Sequence, residues 1–195
     1  VFATADSSNM AFGSSNGVSL AGNLSVNTTT GYIQINAKAP LITGAMTAYG
    51  LALLGNNQSY TLTSASNAFS AIAANIGTGS LTLTNAGSLS IGSYNGTNGI
   101  TAASVTLTVG GLQGSNNITV TGSSTISITN ASGSFDYTGV MSGPIALSKS
   151  GAGVQTLSGN NTYTSGTTIS GGTLKLGTNT YFRCSDASTI CSPSG

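Results

Sequence analysis

Three runs decide how this chain is read: Tyr60-Thr-Leu-Thr63, Leu81-Thr-Leu-Thr84 and Val105-Thr-Leu-Thr-Val109. Each alternates apolar and hydroxyl side chains at a period of two, the pattern of a strand with one buried and one wet face. Thr61, Thr82 and Thr106 are spaced by 21 and 24 residues, so the alternation recurs as a second-order period. A period of that length is the mark of a solenoid, in which one coil cannot bury its apolar face alone and stacks on the next. The chain is therefore expected to be all-β, a right-handed parallel β-solenoid (β-helix) of short strands with rungs about 4.8 Å apart. Leu62, Leu83 and Leu107 would form an inward core ladder and the threonines an outward one. A β-sandwich whose strands recur by composition is the alternative fold.

Working outward, the same alternation appears in Val18-Ser-Leu20, Leu24-Ser-Val26, Tyr32-Ile-Gln-Ile35, Leu89-Ser-Ile91, Ile118-Thr-Val120, Ile126-Ser-Ile128 and Leu174-Lys-Leu176. Gly-Asn, Asn-Gly, Ser-Gly and Gly-Gly pairs separate these runs and suit tight turns. One stretch departs from the pattern: within residues 66–76, Phe69, Ile72 and Ile76 stand at helical spacing behind a potential Ser66 or Asn67 cap, so a short helix competes there with a coil corner filled by alanines. The expected organisation is an N-terminal strand segment over 1–36, open to inter-subunit contact, the solenoid over 37–177, and a C-terminal loop over 178–195.

Composition narrows the function. Ser, Thr, Gly and Asn make up 106 of 195 residues, and only Asp6, Lys38, Asp136, Lys149, Lys175, Arg183 and Asp186 carry charge. The chain has no His, Glu or Trp. General acid–base catalysis draws on His and Glu, and metal sites on His, Cys, Asp and Glu, so most enzyme designs are removed and no cofactor or metal is expected. Two of the three aspartates would have to meet for paired-carboxylate hydrolysis, and no Ser-x-x-Lys arrangement offers a nucleophile. A net charge of +1 lacks the Lys/Arg footprint of nucleic-acid binding. The most apolar stretch, 40–55, is shorter than the roughly twenty residues of a membrane span and is broken by Thr43, Gly44, Thr47 and Gly50. The chain begins at Val1 with no signal-peptide pattern, which fits a mature or excised segment.

Cys184 and Cys191 are the two cysteines, six residues apart in sequence near the C-terminus. An intrachain disulfide stapling the terminal loop is the favoured reading and would place the chain in an oxidising compartment. Two free thiols or half of a metal site are the alternatives.

Residues 147–177, LSKSGAGVQTLSGNNTYTSGTTISGGTLKLG, carry Lys-x-Gly-x-Gly, Leu-Ser-Gly-x-Asn-Thr-Tyr-Thr, Gly-Thr-Thr-Ile and Gly-x-Leu-x-Leu-Gly elements in order. This segment, with its lead-in from Phe135, resembles the autotransporter-associated β-strand repeat; Val154-Gln-Thr and Ser165 are its small departures. Within it, Gly151 and Gly153 suit sharp turning, Asn160 and Asn161 suit a turn cap or an amide ladder, and Tyr163 offers an apolar ring with a hydroxyl that reaches water. Lys149 opens the motif. Residues 67–102, with Gly-Ser-Leu-Thr-Leu-Thr-Asn, Leu-Ser-Ile-Gly and Asn-Gly-x-x-Gly-Ile elements, are similar to filamentous-haemagglutinin-like exoprotein repeats. Together the resemblances imply a secreted β-solenoid at the surface of a Gram-negative bacterium.

The function expected from these readings is a non-enzymatic structural or adhesive component of a cell-surface or extracellular fibre. A near-neutral solenoid with exposed β edges is expected to form a homo-polymer, by coil stacking or by insertion of Val1–Val26 into a neighbour. Host or surface glycans are candidate partners. Two alternatives remain: a passive passenger segment of a larger adhesin, and an ice-binding solenoid, for which three aligned Thr-Leu-Thr copies are the motive.

Overall fold

A computed structural model describes residues 2–5, 9–14, 18–26, 28–38 and 40–177. The described chain is all-β, with no helix, and its parallel strands stack as a solenoid of about 8 turns. Most coils contribute one short strand to each of three faces. The first face stacks Met10–Ser14, Tyr32–Ala37, the ends of Met46–Leu54 and Ala68–Asn75, then Ile100–Ala102, Ile118–Val120, Met141–Gly143 and Thr162–Tyr163. The second runs from Tyr60–Leu62 through Ser80–Thr84, Ser104–Val109, Ser124–Ile128 and Ile145–Lys149 to Thr167–Ile169. The third ends in Ser134–Tyr137, Val154–Leu157 and Thr173–Leu176.

Register follows the period seen in the sequence. On the second face Leu83 pairs with Leu62 on one side and Leu107 on the other, and Leu107 pairs with Ile126, which pairs with Leu147. All five are buried, at 2% exposure or less. A parallel ladder keeps like residues in the same column, so the narrow interior is filled by stacks of branched aliphatics and each rung depends on the rungs beside it.

Three expectations change. The stretch at 66–76 is not helical: Ala68–Asn75 is a strand, and Ala71, Ile72, Ala73 and Ala74 are all buried. The reason lies in two-sided cover. The strand bends from the third face, where Ile72 pairs with Ile91, to the first, where Ala74 pairs with Ile100. On its outer side a hairpin of Ser93–Tyr94 and Thr97–Asn98 packs against it. A strand covered on both sides loses its alternation and reads as a continuous apolar run, which helical spacing can mimic. Second, the boundary expected at 36/37 falls inside the strand Tyr32–Ala37. Parallel stacking already begins with Met10–Ser14 on Tyr32–Ala37 and includes Ser19–Leu20 on Leu41–Ile42. The alternation of Val18-Ser-Leu20 and Leu24-Ser-Val26 is visible in sequence, but runs this short do not report which coil they stack on. Third, Phe2–Ala5 pairs antiparallel with Met10–Ser14, so this end is closed by a hairpin within its own chain. The terminal loop 178–195, with Cys184 and Cys191, lies outside the described residues.

The ladder predicts a sharp contrast between inward and outward substitutions. Leu83→Ala should cost about 2–5 kcal/mol, because the neighbouring rungs hold the cavity open. Thr63→Ala, at the exposed position just after Leu62, should stay within about 0.5 kcal/mol. Denaturant melts followed by far-UV circular dichroism separate the two, and equal losses would mean that the leucine column is not the core.

Candidate functional site

Few side chains here carry chemistry, so the site is sought where polar groups are buried or charges are held. At coil corners the strand ladder breaks, and backbone groups there need other partners. Asparagines supply them. The Asn67 Oδ1 accepts the Met46 N–H at 2.9 Å, while its Nδ2 donates to the Leu62 and Thr84 carbonyls. One coil on, Asn85 Oδ1 accepts the Phe69 N–H at 2.8 Å and its Nδ2 donates to the Phe69 carbonyl. Both residues are buried. A side-chain amide thus stands in for a missing peptide and links successive turns.

Lys149 occupies the equivalent corner of a later coil. It pairs with Ile128 in the ladder and is fully buried. Its Nζ donates to the carbonyls of Ser150 at 2.7 Å, Gly151 at 2.9 Å and Gly171 at 3.2 Å, so all three ammonium protons have acceptors and two coils are tied together. Burial lowers its pKa from the ordinary lysine value. Gly151, at φ +75, turns the chain toward the ammonium in a region that side-chain-bearing residues avoid. Gly153 acts differently from the expected turn: a Cβ there would meet the Asn130 Nδ2 at 2.3 Å, so this glycine admits a buried amide. Asn130 Nδ2 donates to the Val154 carbonyl, whereas its Oδ1 is buried without a partner.

The remaining motif residues lie at the next corner. Asn161 is buried, accepts the Met141 N–H at 2.8 Å and donates to the Gly159 carbonyl; its neighbour Asn160 is exposed. The Tyr163 hydroxyl shares a 2.9 Å hydrogen bond with Thr167 Oγ1 rather than reaching only water, and burial pushes its pKa up to about 12. Lys149, Gly151 and Gly153 thus share one corner, while Asn161 and Tyr163 serve another. The third-face strand Val154–Leu157 lies between these corners, and the leucine column lies on the second face, before the Lys149 corner.

Sequence reasoning missed Gln155. This buried side chain reaches two coils back, accepting the Leu112 N–H at 3.0 Å and donating to the Leu112 carbonyl at 2.8 Å. It does the work of a strand where Ser134–Tyr137 joins the preceding coil through an isolated Gly114–Tyr137 bridge rather than a ladder; its signal was the polar residue at an inward position in Val154-Gln-Thr-Leu157. Also missed was an outer cluster in which Tyr32 stacks on Tyr94, with centroids 4.0 Å apart, and meets Tyr49 edge-on at 5.6 Å. It staples the 93–98 hairpin to the rod. Asp136 is exposed and accepts a 2.7 Å hydrogen bond from the Ser158 hydroxyl; it shares an outward column with Thr156 and Lys175. Among the described residues no group of three or more His, Cys, Asp or Glu stands together, and no helix is long and apolar enough to cross a membrane.

Two predictions follow from these buried groups. Lys149→Met keeps the aliphatic stem but leaves carbonyls without a donor, and should lower stability by about 1–3 kcal/mol in denaturant melts. Alkaline pH should destabilise the fold. Tyr60, Tyr137 and Tyr163 all have pKa values raised chiefly by burial, so above pH 10, and up to about 12 for Tyr163, the folded chain keeps protons that the unfolded chain loses. Stability then falls by about 1.4 kcal/mol per pH unit for each such tyrosine. Lys149 has the opposite sign, but its window closes at the ordinary lysine value. Tyrosinate absorbance should rise together with loss of circular dichroism; ionisation of these rings near pH 10 in a folded chain would contradict the packing.

The family model of the passenger-associated-transport-repeat matches residues 147–176, the segment that holds Lys149, Gly151, Gly153, Asn161, Tyr163 and Gln155. There is no evidence for filamentous-haemagglutinin-like repeats over 67–102, and no curated protein or solved structure matches the chain. By this repeat the chain is similar to autotransporter passengers built as β-solenoids, secreted or cell-surface proteins of Gram-negative bacteria.

Proposed function

We propose that the chain is a non-enzymatic structural and adhesive element of an extracellular fibre, a passenger-type solenoid that joins copies through the edge of its last described coil. The observation that carries this reading is the apolar character of that edge. Thr162–Tyr163, Thr167–Ile169 and Thr173–Leu176 are the last strands of their faces among the described residues, each paired on one side. Ile169, stacked beneath Lys149, is 47% exposed, and Leu174 and Leu176 beneath Gln155 and Leu157 are half-buried. An edge with aligned backbone groups and apolar ladder residues is a template for another strand. Near-zero net charge offers little repulsion against association.

Coil stacking is favoured over insertion of the N-terminal segment. Met10–Ser14 is already paired within its own chain on both sides, with Phe2–Ala5 and with Tyr32–Ala37. The non-enzymatic part of the proposal rests on residue chemistry: the chain has no His or Glu, Asp136 is exposed, and Lys149 is committed to three carbonyls. Outer-face hydroxyls and the Tyr32–Tyr49–Tyr94 cluster are the surfaces available for glycan contacts at a host or cell surface.

Electron microscopy of the purified chain should show filaments whose abundance changes little between low and high salt, since backbone pairing and apolar contact drive assembly rather than ion pairs. Ile169→Lys with Leu176→Lys should leave a folded monomer. Full-length protein that stays monomeric at high concentration would defeat self-assembly and favour the passive passenger segment, in which further coils of one chain cover the same edge.

A further inference from the structure

We propose that the second face is an ice-binding surface, a rigid lattice of threonines that docks on ordered water. The register makes more of this face than the sequence did. Thr61, Thr82, Thr106 and Thr125 stand in one outward column, which Ala146 continues, and Thr84, Thr108, Ser127, Ser148 and Thr168 stand in the next. Thr125 lies in a Thr-Ile-Ser run, and in-register pairing with Thr106 places it in the same array. A third column of Ser80 and Ser104, whose hydroxyls bond at 2.9 Å, borders the threonines. The array repeats at about 4.8 Å between rungs and about 6.6 Å along each strand, in two dimensions on a parallel sheet.

Its chemistry selects the occupant. Of the charged side chains among the described residues, Lys38 lies outside the strands of this face, Lys149 points inward, and Asp136 and Lys175 belong to the third face. A surface of hydroxyls and methyls with no formal charge complements an uncharged lattice of hydrogen-bond donors and acceptors. It does not complement an anionic lipid surface or nucleic acid, which require cations. Regular repetition along a sheet face suits an extended ordered surface rather than a small molecule. The ladder and the buried leucines between the threonines fix the hydroxyl positions before contact, so docking demands little further ordering. The first face differs: its outward column of Thr101, Thr119, Ser142 and Thr162 is preceded by Asn75 and Leu54, and no second threonine column accompanies it.

The test uses the full chain with ice itself as the probe, reading thermal hysteresis, crystal shaping and inhibition of recrystallisation. Wild type should show all three. Thr82→Lys with Thr106→Lys should abolish them, whereas Thr119→Lys on the first face should leave them unchanged, with far-UV circular dichroism and melting confirming the fold. If the double variant fails to fold, Thr106→Tyr, a strand-favouring residue that interrupts the array, takes its place and should also abolish activity. Folded wild type without hysteresis or shaping at high concentration overturns the proposal. So does full activity in a folded second-face variant, or retention on an insoluble crystalline polysaccharide with none on ice. Because the readouts concern a side face, their failure leaves filament formation through the terminal coil standing, and loss of filaments leaves ice binding standing.

Discussion

Every feature of this molecule depends on in-register parallel pairing between successive coils. A parallel rung offers its N–H and C=O groups to both neighbours, so like residues are forced into columns and the interior is no wider than the side chains that fill it. That constraint explains why a chain with 38% apolar residues makes a core at all. Each apolar side chain is shared by the rungs above and below it, and three faces close on one another without a second layer. It also explains why strands as short as Leu24–Ser25 persist: pairing with Met46–Thr47 within a long stack supplies what two residues cannot.

The same constraint fixes where polar residues must go inside. Corners interrupt the ladder, and an unpaired buried peptide group costs about as much as a lost hydrogen bond. Asn67, Asn85 and Asn161 meet this demand with one acceptor and one donor each, and Gln155 does so across two coils. Lys149 is the extreme case, with three donors turned on three carbonyls. A cation placed so would be intolerable among aliphatics alone; facing carbonyl oxygens on two coils it closes a corner. The repeat match over 147–176 therefore coincides with the segment where backbone satisfaction relies most on specific side chains.

Sequence reading recovered what is periodic and lost what is not. The leucine and threonine columns were legible because alternation at two and recurrence at 21 and 24 residues report the rung and the coil separately. Residues 10–36 were not placed in the stack, since Val18-Ser-Leu20 and Leu24-Ser-Val26 show alternation but no recurring motif that ties them to a later coil. The 66–76 stretch misled for a different reason: the 93–98 hairpin covers the outside of Ala68–Asn75, so Ala73 is buried where an outward polar residue was expected. Gln155 and the Tyr32–Tyr94 stack depend on contacts 43 and 62 residues apart in sequence, beyond any local pattern. Lys149 and Gly153 were noticed as motif letters, but their roles needed the neighbouring coil.

Two kinds of surface result, and they obey different physics. Among the described residues, the edge of the last coil offers backbone groups paired on one side and apolar columns, so whatever adds to them must be a strand, from the same chain or another copy. The side faces offer side chains alone, spaced by a backbone that is already satisfied. A solenoid can lengthen at its edge without altering its faces, and each added coil extends a face column by one rung. Assembly and face recognition are therefore linked by geometry, since stacking copies end to end would prolong any lattice on a side face in proportion. On the second face that gain depends on register across the junction: Thr168 must be followed by a hydroxyl in the same column, and a slip of one residue would turn an apolar side chain outward instead.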